Sequence, residues 1–308
     1  MKILVIKPSS LGDVIHALRV IAQLKAVSPT IEIDWVIKSG FEEVLRCTDL
    51  IDKVYKFERG SGFRSYLSLI KQIRTERYDY AIDLQGLLRS AVLCLLSRSS
   101  QKIGVADGRE GSTLFYRKIG VSSRRKEIHA IDRLTPFLKE VGVGSLAPSL
   151  PLLFPSSKLE GKTDRILKDN PYILLFPESR RREKVWPHFA KLSKLLTADF
   201  SHRIVIAGNN RDEFHPGAID LRNRINLTEL PALIDRASVV VTNDSAPLHI
   251  ASALKKPLVA IFGPTSAKRY GPYPQNSEQN IILTAQEKNL ETISVEQVAN
   301  AIEQSLGS

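Results

Sequence analysis

Residues 239–262 read VVVTNDSAPLHIASALKKPLVAIF, and this stretch contains two apolar runs on either side of a segment with helical spacing. The runs at 239–242 and 258–262 are apolar almost throughout, which is typical of strands buried on both faces. Residues 247–254 follow the pattern of a helix with a proline in its first turn. A strand–helix–strand unit of this kind predicts a parallel sheet with helices on its faces.

The same alternation extends outward from this unit through both halves of the chain. The predicted strands are 2–6, 31–37, 53–57 and 80–84 in the first half, and 172–176, 203–207, 239–242 and 258–262 in the second. The predicted helices are 14–24, 67–77, 187–196, 230–234, 247–254 and an amphipathic C-terminal segment around 295–302. This pattern predicts an α/β protein with two Rossmann-like, doubly wound parallel-sheet domains. Such folds bind ligands at the carboxyl ends of their strands, so we expect the two domains to face a central cleft.

The boundary between the two domains is marked by composition. The 308 residues suit two domains of ordinary size. Residues 145–170 are rich in Pro, Ser and Gly, which is typical of a connection between domains. We predict an N-terminal domain at 1–155 and a C-terminal domain at 156–308, with the last helix packing back on the N-terminal domain.

The charge of the chain is strongly positive and unevenly distributed. There are 44 Lys and Arg against 33 Asp and Glu, a net charge of +11. Residues 1–150 hold 24 of the basic and 16 of the acidic side chains, so +8 of the excess lies there. The positive excess predicts an anionic partner, and the alternatives are a phosphorylated substrate, a membrane surface and nucleic acid. Aromatic residues are only 7% of the chain and the basic residues are dispersed, which argues against nucleic acid.

The cysteines and the lengths of the apolar runs indicate the cellular compartment of the protein. Cys47 and Cys94 lie in apolar settings without CxxC spacing, so we expect buried thiols in a reducing compartment. The apolar run at 3–6 ends at Lys7-Pro8 and is too short for a signal peptide. No apolar run approaches the ~20 residues that cross a bilayer. We expect a cytoplasmic protein whose contact with a membrane is peripheral.

The loop KPSSLGD at 7–13 follows the first predicted strand and contains the first candidate catalytic residue. Asp13 lies where the following helix begins, and Gly12 allows the backbone to turn closely. Asp13 has two interpretations: it caps the helix, or it is a general base that accepts the proton of a substrate hydroxyl. Neither GxGxxG nor GxxxxGK[ST] occurs here, which lowers the expectation of a dehydrogenase or an ATPase.

The loop TNDSAPLH at 242–249 offers a second site, at the start of a predicted helix. Asp244, Ser245 and the backbone N–H groups of the helix start suit sugar hydroxyls and a phosphate. The alternative interpretation is structural, with Asp244 or Ser245 capping the helix and His249 packed against its face.

Two more loops of the second half carry groups suited to phosphate. FGPTSAKR at 262–269 offers a close backbone approach and the hydroxyl of Thr265. PESRRREKVWP at 177–187 carries three arginines and Lys184, which suit a diphosphate. A solvated charged loop is the alternative interpretation of 177–187.

In combination, these motifs resemble the family 9 glycosyltransferases, the lipopolysaccharide heptosyltransferases. The matching segments run almost from end to end and are KPSSLGDVIHAL, DWVIKSGFEEV, YDYAIDLQGLLRSA, EIHAIDR, EKVWP, TNDSAPLHIASAL and IFGPT. The last two form the most recognisable signature of the family. The opening segment and HAIDR are more similar to the enzyme that adds the first heptose, heptosyltransferase I, than to the one that adds the second.

The resemblance implies a GT-B fold with an N-terminal acceptor domain and a C-terminal domain that binds ADP-heptose. It implies that Asp13 is the catalytic base and that Lys184 contacts the donor phosphates. The implied donor-binding residues are Ser179, Arg180, Lys184, Asp212, Ile225, Thr242, Asp244, Ser245, Ala246, His249, Gly263 and Thr265. The chain departs from the family pattern at Ala246, at Asp212 and at the Ser179-Arg180 pair, which leaves the donor sugar open.

The implied acceptor is acidic: the Kdo inner core of lipopolysaccharide, carried on phosphorylated lipid A. The acceptor-binding candidates are Ser9, Ser10, Gly12, Gln85, Arg59, Arg64 and Arg89, with Arg98, Lys102 and Arg109 as further basic candidates. Any one of these basic residues has the simpler interpretation of an ordinary surface charge. The prediction of an acidic acceptor depends on the whole group.

The implied reaction is an inverting displacement in which domain closure brings Asp13 to the donor carbon. The six histidines are scattered and a DxD pair is absent from the sequence, so we expect no obligatory metal and no other cofactor. The alternatives are a family member with another nucleotide sugar or acceptor, a nucleotide-sugar-binding scaffold without catalysis and, remotely, a nucleic-acid-binding protein. The sequence leaves the oligomeric state open.

Overall fold

The computed structural model describes residues 1–58, 60, 62–120, 127–144, 151–168, 170–209, 213–214 and 216–307. The chain divides into two compact units, Met1–Pro155 and Ser156–Ser308. Each unit contains one parallel sheet with helices packed against it.

The sheet of the first unit has six parallel strands in the order β3-β2-β1-β4-β5-β6. The strands are β1 (Lys2–Ile6), β2 (Glu32–Lys38), β3 (Lys53–Phe57), β4 (Tyr78–Asp83), β5 (Ser99–Val105) and β6 (Arg117–Ile119). The helices are α1 (Leu11–Val27), α2 (Glu42–Arg46), α3 (Gly62–Ile73), α4 (Leu88–Leu96) and α5 (Pro136–Glu140), and a one-turn 3-10 helix covers Ser112–Leu114. β1 is central: Leu4 lies opposite Asp34 on one side and Ala81 on the other. Its apolar residues are fully buried because the strand is paired on both sides and covered on both faces.

The sheet of the second unit has the order β12-β11-β10-β7-β8-β9 and is also parallel. The strands are β7 (Tyr172–Phe176), β8 (Arg203–Ile206), β9 (Ile219–Asp220), β10 (Val239–Asn243), β11 (Leu258–Phe262) and β12 (Asn280–Thr284). The helices are α6 (Gly161–Leu167), α7 (Phe189–Asp199), α8 (Leu230–Asp235), α9 (Ala246–Ala253), α10 (Ala267–Tyr270) and α11 (Val295–Leu306).

Both sheets have the same Rossmann strand order. Numbered from its own first strand, each reads 3-2-1-4-5-6, so the order reverses once, between strands 1 and 4. This switch point lies between β1 and β4 in the first unit and between β7 and β10 in the second. The prediction of two doubly wound parallel-sheet domains is confirmed.

The last helix, α11, belongs to the core of the second unit. The sequence predicts that this helix packs back on the N-terminal domain. In the structure Val298, Ala299, Ala301 and Ile302 lie in one apolar cluster with β7, β8, β10, β11 and α7, and contact with the N-terminal domain stays a prediction. Trp186 is buried in the same cluster, and its indole N–H donates to the carbonyl oxygen of Ile293 at 2.9 Å, just before α11 begins.

Several elements differ from the sequence prediction at their bounds. The helix predicted at 67–77 is α3, which begins at Gly62 and ends at Ile73 because the next residues turn into β4. The strands β5, β6, β9 and β12 and the helices α2, α4, α5, α6 and α10 were not predicted. β5 begins with the exposed or half-buried residues SSQK, and β9 has only two residues, so neither has a continuous apolar run.

Two smaller predictions concern the cysteines and the apolar runs. Cys47 and Cys94 are both buried thiols, as predicted. Burial raises the pKa of both thiols, which keeps them protonated and poorly reactive near neutral pH. In the part of the chain that the structure describes, no helix is both long and apolar enough to cross a membrane.

Candidate active site

The switch point of the first sheet brings together the loop after β1 and the loop after β4. Residues 7–10 lead from β1 into α1, and residues 84–87 lead from β4 into α4. The backbone N–H of Ser9 donates to Gln85 Oε1 at 3.2 Å, which joins the two loops. The structure therefore places the candidates Ser9, Ser10, Gly12, Asp13 and Gln85 in one region.

Asp13 is in the first turn of α1 and makes the contacts of a capping box. Its Oδ2 accepts hydrogen bonds from the backbone N of Ser10 at 3.0 Å and from Ser10 Oγ at 2.8 Å. Lys7 Nζ lies 3.9 Å from the same oxygen. The Asp13 side chain is still 41% exposed, so a substrate hydroxyl has access to it. The capping interpretation is thus supported by geometry, and it is compatible with a role as base.

Asp83, the last residue of β4, lies fully buried behind this loop and was missed in the sequence. Its Oδ1 accepts from the backbone N–H groups of Gln85 at 2.9 Å and Gly86 at 3.1 Å, and its Oδ2 accepts from Ser90 Oγ at 3.0 Å. These bonds hold the loop that carries Gln85, and through Gln85 the loop of Ser9. Burial raises the pKa of Asp83 to about 6, against the opposing effect of these hydrogen bonds and of the Lys7 ammonium. Its position at the end of a strand was the available signal.

Replacing Asp83 by asparagine should make the stability of the protein less dependent on pH. The carboxyl group of Asp83 binds a proton more tightly in the folded chain, where its pKa is about 6, than in the unfolded chain, where it is 3.8. Its protonation therefore stabilises the fold fully below pH 3.8, and this stabilisation is lost as the pH rises through about 6. Since one pKa unit corresponds to about 1.4 kcal/mol, Asp83→Asn should gain roughly 2 to 3 kcal/mol over wild type between about pH 4 and about pH 7. Urea unfolding across this range measures the difference, and two curves that stay parallel would contradict the prediction.

Three of the basic acceptor candidates are exposed at the carboxyl edge of the first sheet. Arg64 is in the first turn of α3, Arg89 is in the first turn of α4, and Arg109 is in the loop after β5. Since each segment follows a strand of one parallel sheet, all three lie on the side of Asp13. Arg59 lies outside the described residues.

Arg98 and Lys102 are placed elsewhere, which corrects their selection as acceptor candidates. Arg98 immediately precedes β5, at the amino edge of the sheet, and a seven-residue strand spans roughly 20 Å. Lys102 lies within β5, and its Nζ donates back to the carbonyl oxygen of Ser99 at 3.0 Å. The sequence could not distinguish the edges here because β5 was not predicted.

The switch point of the second sheet carries a buried ion pair. Lys184 follows β7 and Asp244 follows β10, and Lys184 Nζ donates to Asp244 Oδ2 at 2.6 Å. Thr265 Oγ1, from the loop after β11, donates to the same oxygen at 2.6 Å. The side chains of Lys184 and Asp244 are 16% and 7% exposed. Three loops that the sequence singled out separately thus meet at one carboxylate.

The start of α9 lies beside this ion pair. Ser245 is the N-cap residue, and its Oγ lies 3.2 Å from Thr242 Oγ1. Ser179 Oγ donates to the carbonyl oxygen of Asp244 at 3.1 Å, which connects the loop after β7 to the same point. Ala246 is the first residue of α9 and His249 is buried on it.

The remaining donor candidates lie at the same edge with less defined contacts. Arg180 is exposed in the loop after β7, and Ile225 is half-buried in the loop after β9. Gly263 has a packing reason to be glycine: a Cβ there would lie 2.7 Å from Leu290 Cγ. Asp212 lies outside the described residues.

Two further polar residues at this edge were missed in the sequence. Asn243 is fully buried; its Oδ1 accepts from the backbone N of Trp186 at 3.0 Å, and its Nδ2 has no hydrogen-bond partner among the described residues. The carboxylate of Glu178 accepts from the backbone N of Asn209 at 2.6 Å. Gly208 allows this contact, because a Cβ there would lie 2.8 Å from Glu178 Cδ. Within the described ranges, no three His, Cys, Asp or Glu side chains are grouped as a metal site would require.

Each unit thus gathers its polar side chains at the switch point of a doubly wound sheet, where proteins of this class bind nucleotides and related ligands. Comparison with known proteins identifies the family within this class. The model of glycosyltransferase family 9 (heptosyltransferase) matches residues 66–300, and the chain belongs to this family. It is therefore a glycosyltransferase, as the sequence motifs predict.

Individual relatives agree with the family assignment. Lipopolysaccharide heptosyltransferase 1 of Campylobacter coli is 28% identical, over 87% of this chain and 86% of its own length. Lipooligosaccharide heptosyltransferase 2 of Haemophilus influenzae is also 28% identical, over 92% and 88% of the two chains. The solved structure of E. coli heptosyltransferase WaaC with ADP has a TM-score of 0.82 and 24% identity, and the match covers 99% of this chain and 100% of that one. That structure shows the same GT-B class of fold.

Proposed function

We propose that this enzyme transfers heptose from ADP-L-glycero-β-D-manno-heptose to the Kdo inner core of lipopolysaccharide, on Kdo-lipid A. The observation that carries the proposal is the meeting of Lys184, Thr265 and Asp244 at the switch point of the second sheet. The names of the relatives, which include lipopolysaccharide heptosyltransferase 1, supply the sugar and the acceptor class. The opening segment and HAIDR motif favour the first heptose addition over later ones.

The second unit holds the donor in this proposal. The diphosphate gains negative charge as it leaves, so cationic and N–H donors must already be in place where that charge develops. Lys184 Nζ is bonded to Asp244, which also accepts from Thr265, and Arg180 is exposed in the same loop as Lys184. Ser245 starts α9, whose free N–H groups add a partial positive charge. The buried Nδ2 of Asn243 adds a further donor at the end of β10.

The first unit supplies the base. Asp13 accepts the proton of the acceptor hydroxyl while that oxygen forms its bond to the anomeric carbon. The bond from that carbon to the diphosphate oxygen breaks on the opposite face, so the configuration inverts and ADP leaves with the electron pair. A positioned base contributes about 10²- to 10⁴-fold to the rate. Lys7 Nζ lies 3.9 Å from Asp13 Oδ2, so a positive charge is close to this carboxylate.

The acceptor lies against the basic side of the first unit in this proposal. Arg64, Arg89 and Arg109 are exposed on the edge that carries Asp13, and their guanidinium groups suit carboxylates and phosphates. A lipid-linked acceptor of this kind places the enzyme at the cytoplasmic face of the inner membrane. We also propose that the reaction needs no metal, so chelation should leave turnover unchanged.

The assay that tests the proposal combines the purified protein with ADP-heptose and Kdo-lipid A, and measures released ADP and the mass of the lipid product. We expect a product heavier by one heptose, also in the presence of a chelator. Turnover only with another sugar nucleotide would show that ADP-heptose is not the donor. Turnover only with an acceptor that already carries heptose would show that the enzyme does not add the first heptose. No turnover with any donor would favour a scaffold without catalysis.

A further inference from the structure

Four apolar side chains protrude from the carboxyl edge of the first sheet. Phe63 is 73% exposed, Leu67 is 39%, Leu88 is 41% and Leu114 is 83%. Phe63 and Leu67 are one turn apart on α3, Leu88 begins α4, and Leu114 ends the 3-10 helix after β5. We call these four residues the apolar rim. Single exposed apolar side chains are ordinary, but a group of large ones at one edge marks an interaction surface.

The apolar rim is held in place by the segments that carry it. Tyr66 Oη donates to the carbonyl oxygen of Arg89 at 2.6 Å, which joins α3 to α4. The Leu88 backbone N donates to Glu110 Oε2 at 3.2 Å, and the Arg109 backbone N donates to the Gly86 carbonyl oxygen at 2.7 Å. The three segments therefore form one surface.

Three exposed arginines lie in the same segments as the apolar rim. Arg64 follows Phe63, Arg89 follows Leu88, and Arg109 precedes the segment of Leu114, and all three arginines are exposed. The exposed acidic side chains of these segments are Glu58 and Glu110, and Glu110 is turned to the start of α4 by its bond with Leu88. Apolar tips and exposed arginines in the same segments match the boundary of an anionic bilayer, where acyl chains lie next to phosphates.

We infer that the apolar rim docks this enzyme on an anionic phospholipid bilayer, with its apolar tips among the acyl chains and Arg64, Arg89 and Arg109 at the headgroup phosphates. Three exposed arginines against the two exposed carboxylates Glu58 and Glu110 leave this surface positive, which complements an anionic bilayer. Docking by this edge presents the loops of Asp13 and Gln85 to the lipid surface. The inference deepens the proposed function, which sets the lipid-linked acceptor against the same three arginines but names no surface that contacts its bilayer.

Sedimentation of the full chain with vesicles tests the inference without donor or acceptor, so it stands or fails separately from the proposed function. Vesicles of phosphatidylethanolamine with phosphatidylglycerol should bind the protein, and vesicles of phosphatidylcholine should bind it much more weakly. The double variant Phe63→Ser/Leu114→Ser should lose about tenfold or more in partitioning, since two large apolar side chains no longer enter the lipid. The matched control is Val27→Ser/Leu95→Ser, because Val27 and Leu95 are 55% and 42% exposed and lie at the carboxyl ends of α1 and α4, at the opposite edge of the sheet.

A second readout uses the position of one side chain. Leu114→Trp should shift its emission to shorter wavelength on anionic vesicles, and Val27→Trp should not. Equal vesicle binding by wild type and Phe63→Ser/Leu114→Ser, or no shift for Leu114→Trp, would overturn the inference. A change of oligomeric state in Phe63→Ser/Leu114→Ser without loss of vesicle binding would also overturn it, and would assign the apolar rim to a second copy of this chain.

Discussion

Asp13→Asn should lower turnover by about 10²- to 10⁴-fold while ADP still binds, because the amide keeps an acceptor oxygen for the Ser10 N–H but cannot take up a proton. The helix cap is largely retained, so the melting temperature should change little. Turnover with the sugar nucleotide, ADP titration calorimetry and thermal unfolding measure the three quantities separately.

The matched control for Asp13→Asn is Ser10→Ala, which removes the hydroxyl bonded to Asp13 but leaves the carboxylate. A lost N-cap side chain costs about 1 kcal/mol of stability. Ser10→Ala should therefore lower the melting temperature more than Asp13→Asn, and lower turnover much less. If Asp13→Asn turned over normally, Asp13 would be a helix cap only and the base would lie elsewhere.

Lys184→Met should weaken donor binding by about 10- to 100-fold, because a charge-assisted hydrogen bond to the diphosphate contributes about 1.5 to 3 kcal/mol. It also leaves the buried carboxylate of Asp244 without its ammonium partner, which should destabilise the second unit by about 3 kcal/mol. Titration with ADP and urea unfolding separate the two effects.

The double variant Lys184→Met/Asp244→Asn distinguishes a phosphate contact from a structural pair. Removing both charges should restore most of the stability, since no buried charge is left unpaired. Donor binding should stay weak. Recovery of affinity in the double variant would mean that Lys184 acts only through Asp244. Lys191→Met, an exposed lysine on α7 of the same unit, controls for a general loss of positive charge.

The sequence was most informative where strands are buried on both faces. Runs such as YILLF and LVAIF predicted β7 and β11 with their observed bounds, because a central parallel strand excludes polar residues. Edge strands escape this rule. β6 and β9 are short and partly exposed, and they are strands because a neighbour pairs with them.

The sequence predicted which loops carry the candidate site, but not which of their side chains contact one another. Each of Lys184, Asp244 and Thr265 stood out by its place after a predicted strand, and their meeting at one oxygen depends on strand order, which local sequence does not contain. Asp83 and Asn243 were missed for another reason. Both stand inside quoted segments, but they end buried strands and bind backbone N–H groups, and these contacts are not visible in a motif.

The packing of α11 has a consequence for how the family can change its chemistry. Because this helix completes the core of the unit that contains the proposed donor residues, an exchange of residues 156–308 between relatives carries a whole hydrophobic core with it. Neither six-stranded sheet has strands on both sides of that junction, so the exchange leaves both sheets intact. Under the proposed function, the donor residues and the acceptor residues therefore belong to separate modules joined by one crossing of the chain.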